Sequence, residues 1–183
     1  MKSGVRMFAV ASGPLGSKSA LLVGIVSRGG ITEGVVSSSA TVDGADATVR
    51  IASMLSRSRF KSQVKLIALN GIGIAGLNIV DTDALAHATG TAVMSVTRGR
   101  PHPNELIKAL KALSRDKKID VADRIALVEK AKGMGIFGAG GMYAQTRLSR
   151  ADASSFMHDA AANLRLAHMI ARGVSSGESK GRI

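Results

Sequence analysis

The chain has 183 residues, 45% of them apolar but only 3% aromatic, so the expectation is one domain with a core of Ala, Val, Ile, Leu and Met. It has no cysteine, which excludes a disulfide framework, a Cys-ligated zinc site and a thiol nucleophile together. Twenty-five Lys and Arg against 13 Asp and Glu leave a net charge of +12, the balance of a domain that meets a polyanion, because neutralised phosphates release counterions.

No apolar run approaches the roughly 20 residues that span a bilayer. The start, MKSGVRMFAVASG, has a basic residue and a short apolar run, but Val5–Val10 is too short for a signal peptide and reads as a strand. The expected location is cytoplasmic, with no membrane partner. Val5–Ala11 is thus a first buried strand, Ala20–Ser27 a second and Gly30–Val42 a third, with Arg28-Gly29-Gly30 as the hairpin turn between the last two. The loop between the first two, GPLGSKS, approximates a phosphate-binding loop. Ser17 separates Gly16 from Lys18, however, and a strand follows instead of a helix, so both requirements of a Walker loop fail.

Asp46–Ser56 has helical spacing, and Val64–Leu69 is an apolar run of the kind buried in a parallel sheet, broken by Asn70-Gly71-Ile72-Gly73. A helix from Asp83 to Ala88 ends at Gly90, and Thr91–Val96 is the next strand. Asn104 is placed to cap a helix over Glu105–Arg115. Asp120–Lys132 reads as a further helix and Gly133–Gly141 as a loose loop. Met142–Thr146 reads as a strand, Ser149 as the cap of a helix through Ala162, Leu164–Arg172 as a separate last helix, and about 174–183 as a basic tail. Three strands joined by hairpins and then βαβ units predict an α/β fold: an RNase H-like mixed sheet with helices on its faces, in a single domain over residues 1–183.

Asp43 and Asp46, in TVDGADAT, sit where a strand hands over to a helix; a turn and a helix start use carboxylates too, as do Asp81 and Asp83 further on. Metal-assisted phosphodiester hydrolysis needs several carboxylates converging on one or two Mg²⁺ ions. The strand ends where such a fold would place them carry Ala11, Ser12 and Asn70. His87, His102, His158 and His168 show no metal-ligand spacing. The basic residues gather in runs: Arg57, Arg59, Lys61 and Lys65; Arg98 and Arg100; Arg115, Lys117 and Lys118; Lys180 and Arg182 in the tail. Together with Arg28 they are candidates for phosphate contacts. With so few aromatics for base stacking, the backbone of DNA or structured RNA is the expected partner.

Three segments, TVDGADATVRIASMLSRSRFKSQVKLIALNGIGIAGLNIVD, VGIVSRGGITEGVVSSS and NLRLAHMIARGVSSGESKGRI, resemble the archaeal endonuclease dU family, and the likeness runs over nearly the whole chain, least around 113–141. That family is similar to endonuclease V, an RNase H-like nuclease that cuts near deaminated bases. The resemblance implies an archaeal origin, an RNase H-like fold, and activity on uracil-containing DNA with a divalent metal. Family members carry Asp-Asp-Gly-Pro at the end of the first strand, where this chain has Ala11-Ser12-Gly13-Pro14, and Asp-Gly-Ile where it has Asn70-Gly71-Ile72. Asp43 and Asp46 match the family's VDGTDAT-like segment, and His168, Glu178, Lys180 and Arg182 match its C-terminal segment.

The leading expectation is a degenerate relative that binds nucleic acid without cutting it and needs no cofactor; a place in a ribonucleoprotein such as the ribosome is compatible with it. The rival is an active nuclease in which Asp43, Asp46 and His168, with Asp81 or Glu178, work with Mg²⁺ or Mn²⁺ on uracil- or inosine-containing DNA. A third class is a protein-interaction module whose charge is incidental.

Overall fold

The computed structural model describes residues 4–179. Strands β1 (Arg6–Ser12), β2 (Ser19–Arg28) and β3 (Ile31–Thr41) form an antiparallel meander. The β2–β3 turn falls on Gly29 and Gly30, whose φ angles of 56° and 80° suit glycine and a tight hairpin. Helix α1 (Ala47–Ser56) then leads to β4 (Val64–Asn70), parallel to β1. A small ladder of β5 (Gly73–Ile74) and β6 (Asn78–Ile79) precedes α2 (Thr82–Thr89) and β7 (Ala92–Thr97), parallel to β4. The chain continues through α3 (Pro103–Lys117), α4 (Ala122–Ala131), β8 (Gly135–Ala139), β9 (Met142–Thr146) and α5 (Arg150–Ser176).

The main sheet has the order β3-β2-β1-β4-β7-β9-β8. An antiparallel meander feeding parallel β1, β4 and β7 is the RNase H-like arrangement that the sequence pattern predicts, widened here by the β8–β9 hairpin. Helices cover both faces, which is why β1 and β4 are apolar at nearly every position. Phe8, Val10, Ile67 and Leu69 join Ile51 and Leu55 of α1 and Leu85 of α2. The alternate residues Met7, Ala9, Leu66 and Ala68 meet Phe156, Met157, Ala160 and Leu164 of α5. Ile72 and Ile79 close a third cluster with α3 and α4. No helix among the described residues is long and apolar enough to cross a membrane.

The structure corrects several boundaries. Gly133–Gly141, read as a loop, contains β8, which pairs antiparallel with β9 and turns on Gly140 and Gly141. Its glycines lower strand propensity, but a Cβ on Gly135 would lie 2.6 Å from the Phe137 ring, so the strand uses glycine where an aromatic ring folds back over the backbone. The two helices expected at 149–162 and 164–172 are one helix of 27 residues. Asn163, at the supposed break, is buried within it and satisfies its amide on the Asp159 carbonyl, so the polar residue does not interrupt the turn. The helix runs on to Ser176, so of the expected basic tail the described residues outside the helix are 177–179. Asn104 is not a cap: α3 starts at Pro103, a residue preorganised for the first turn, with His102 in the capping position. Ser149 does cap α5, accepting from the Asp152 N–H.

Candidate nucleic-acid interface

Strands β1, β4 and β7 point the same way and end on one edge of the sheet, the edge where α/β folds assemble sites. Ala11, the last residue but one of β1, is fully buried in a cluster with Ala167 and Ala171 of α5. The helix lies close: a Cβ on Gly13 would come 3.0 Å from the Ala171 carbonyl oxygen. From the same helix, His168 Nδ1–H donates to the Ser12 carbonyl at 3.0 Å; because a carbonyl only accepts, this bond fixes the proton on Nδ1. Ser12 Oγ faces the other way and accepts from the Ala75 N–H at 3.3 Å, tying β1 to the β5–β6 ladder.

The carboxylates of Asp43 and Asp46 are bonded to the β5–β6 segment and its neighbours. Asp43 accepts from the Leu77 N–H at 2.9 Å and from Lys117 Nζ at 2.6 Å. Burial pushes its carboxyl up, but the Lys117 ammonium and the Leu77 amide outweigh this and hold it below the usual range. Gly76 is a glycine for two reasons here: its φ is 85°, and a Cβ would sit 2.3 Å from Asp43 Oδ1. Asp46 accepts from the Thr41 N–H and Oγ1, from Asn78 Nδ2 at 2.7 Å and from Arg50 Nε at 3.1 Å. Its burial is likewise outweighed, by Asn78, Arg50 and Thr41, and its carboxyl also lies low. Asp81 caps α2 and, with Asp83, pairs with Lys130. Glu178 is exposed beyond the end of α5. Among the described residues no group of three His, Asp or Glu side chains is placed to hold a metal ion.

The basic candidates divide between two edges. Arg28 ends β2 beside Arg6 at the start of β1, and Arg57, Arg59 and Lys61 precede β4. All four lie on the edge opposite Asn70, about 20 Å away at roughly 3.3 Å per strand residue. Two of them already have partners there: Arg28 pairs with Glu33 at 3.2 Å, and Arg59 stacks over Phe60 at 4.8 Å. Arg98 and Arg100 follow β7 on the same edge as Asn70, both exposed. Lys117 is engaged by Asp43, and Lys118 is the exposed left-handed residue that ends α3. Lys180 and Arg182 lie outside the described residues.

Sequence reading did not connect four residues that the structure brings together. A cleft of about 290 Å³ lies between the ends of β4 and β7 and the middle turns of α5, with Asn70, Arg98, His158 and Arg165 among its lining residues. His158, Ala162 and Arg165 recur at i, i+4 and i+7, one face of a helix. That face was hidden by the division of α5 into two helices.

The family model for endonuclease dU matches residues 3–175. The chain belongs to the endonuclease dU family. A UPF0215 protein of Methanopyrus kandleri is 34% identical over 188 residues, covering 98% of this chain and 95% of that one. A solved structure from Archaeoglobus fulgidus, described as a protein of unknown function, is 29% identical with a TM-score of 0.81 and covers 92% of this chain and 97% of that one. Endonuclease V of Ciona intestinalis, solved with inosine-containing DNA, overlays at 12% identity and a TM-score of 0.45, a distance at which no residue of its site is transferred.

A divalent metal, which the endonuclease dU resemblance implies, does not fit the donors this family member presents. Ala11 offers no ligand and is sealed under α5. Asn70 offers a neutral amide. Asp43 and Asp46 have their oxygens committed to N–H donors and cations. Mg²⁺ dehydrates reluctantly and is held by carboxylates that are free to face it.

Proposed function

We propose that this endonuclease dU family member binds the phosphate backbone of nucleic acid, DNA or structured RNA, without hydrolysing it. The carrying observation is the end of β1 and β4: a buried alanine packed on α5 and a neutral asparagine stand at two of the three positions, the third being Ser12, where the resembled family carries carboxylates. Removing two negative charges there also removes their repulsion of phosphate. The net charge of +12 and the exposed Arg98 and Arg100 on the same edge supply the attraction. Fluorescence anisotropy with a labelled DNA duplex and an RNA hairpin tests the binding half. Affinity falls steeply as salt rises, and it is the same for plain and uracil-containing duplexes, because contacts to the backbone carry no base information. An absence of binding to both probes at low salt contradicts the reading and favours a protein-interaction module.

A further inference from the structure

We infer that the cleft between Asn70 and α5 is a direct phosphate-binding site, taking one phosphate ester of a nucleic acid strand on side chains with no metal between them. This deepens the proposed function and rests on it. The cleft is open to solvent and of about 290 Å³, the lower end of the roughly 300–1,000 Å³ of small-ligand sites, which suits a single nucleotide unit. Its polar lining is one-sided: Asn70 from β4, Arg98 from the end of β7, and His158 and Arg165 from α5, with no Asp or Glu among the lining residues. A nuclease cleft at this edge needs the reverse, carboxylates to hold a cation.

Three of these groups are uncommitted. Among the described residues no hydrogen bond or ion pair engages the side chains of Asn70, Arg98 or His158, in a chain whose Asp43, Asp46, Asp81 and Asp83 are all paired. Arg98 is also positioned. Thr97 Oγ1 donates to the Gly99 carbonyl at 2.7 Å, which folds the chain just past β7 and fixes the turn on which Arg98 sits. Asn70 is followed by Gly71 at φ 77°, a left-handed turn that takes the chain away from the strand end and leaves the carboxamide beside the cleft. Guanidinium and amide N–H groups in one lining match the oxygens of a phosphate, while Val96 and Met142 give an apolar wall for the attached sugar or base.

The test uses the full chain and one fluorescent 12-nucleotide DNA strand in three forms: 5′-phosphorylated, 5′-hydroxyl, and closed into a circle. The variants are Asn70→Asp and Arg98→Gln, each checked for an unchanged melting temperature, with Arg57→Gln on the opposite edge as a control. Asn70→Asp places an anion in the cleft and is expected to weaken binding by about tenfold; Arg98→Gln is expected to do the same, and Arg57→Gln to change it by less than twofold. A preference for the 5′-phosphorylated strand assigns the site to a strand end, and equal affinity for the circle assigns it to an internal diester; both support the site. Wild-type affinity in folded Asn70→Asp and Arg98→Gln overturns the cleft while leaving nucleic-acid binding intact. Failure of the wild type to bind any strand, duplex or hairpin overturns the proposed function and the cleft with it.

Discussion

Arg124 shows how single residues hold the strand-end edge together. It is 6% exposed, and its guanidinium serves backbone carbonyls, those of Asp43, Gly44, Leu77 and Asp120. It therefore staples the β3–α1 turn and the β5–β6 ladder to the start of α4. Arg124→Met keeps much of the volume but leaves those carbonyls without a donor, and is expected to cost about 3 kcal/mol by urea unfolding, at roughly 1–3 kcal/mol per orphaned buried group. A second prediction concerns Asp83. Its hydrogen bonds to the Arg147 guanidinium hold its carboxyl at about 2, below an ordinary 3.8. Between those values the unfolded chain takes up the proton first, so the stability that Asp83 contributes is present above about pH 4 and is lost as pH falls to 2. The melting-temperature gap between wild type and Asp83→Asn should close across that window; a gap that persists at pH 2 contradicts the assignment.

At the scale of elements, helix caps separate what sequence rules read correctly from what they could not. Ser149 accepts from the Asp152 N–H and opens α5, so Ser149→Ala should cost about 1 kcal/mol in chemical denaturation. Asn104 has the right residue type but lies inside α3, behind Pro103, and Asn104→Ala should change stability by less than about 0.5 kcal/mol. The strands of the meander and β4 and β7 were legible because apolar runs between turn signals are read from local composition. Strand β8 was not, since its identity depends on pairing with β9 and on aromatic rings covering Gly135 and Gly138. The continuity of α5 was hidden by Asn163, whose partner lies one turn earlier on the same helix. That misreading also hid the shared face of His158 and Arg165, and with it half of the cleft. Ala11 and Asn70, by contrast, could be picked out from sequence because a resemblance supplied the residue types they replace; what sequence could not show is that Ala11 is sealed beneath Ala167 and Ala171.

For the whole molecule, a net charge of +12 favours a polyanionic partner without saying where it would dock. The charge that looked like one surface is divided by strand polarity between two opposite edges. Some of it is spent internally, in the pairs Lys117–Asp43, Lys130–Asp81 and Arg147–Asp83. Reversing Arg98 and Arg100 to Glu should therefore weaken duplex binding by at least tenfold and flatten its salt dependence, and by more than reversing Arg57 and Arg59 does. Equal losses at the two edges would mean that long-range attraction, not an interface, governs binding. The central claim, binding without hydrolysis, is tested most directly by incubating the protein with uracil- and inosine-containing duplexes in Mg²⁺ or Mn²⁺, at protein concentrations that saturate binding. The account predicts bound, intact strands; metal-dependent cleavage that disappears in Asp43→Ala would contradict it.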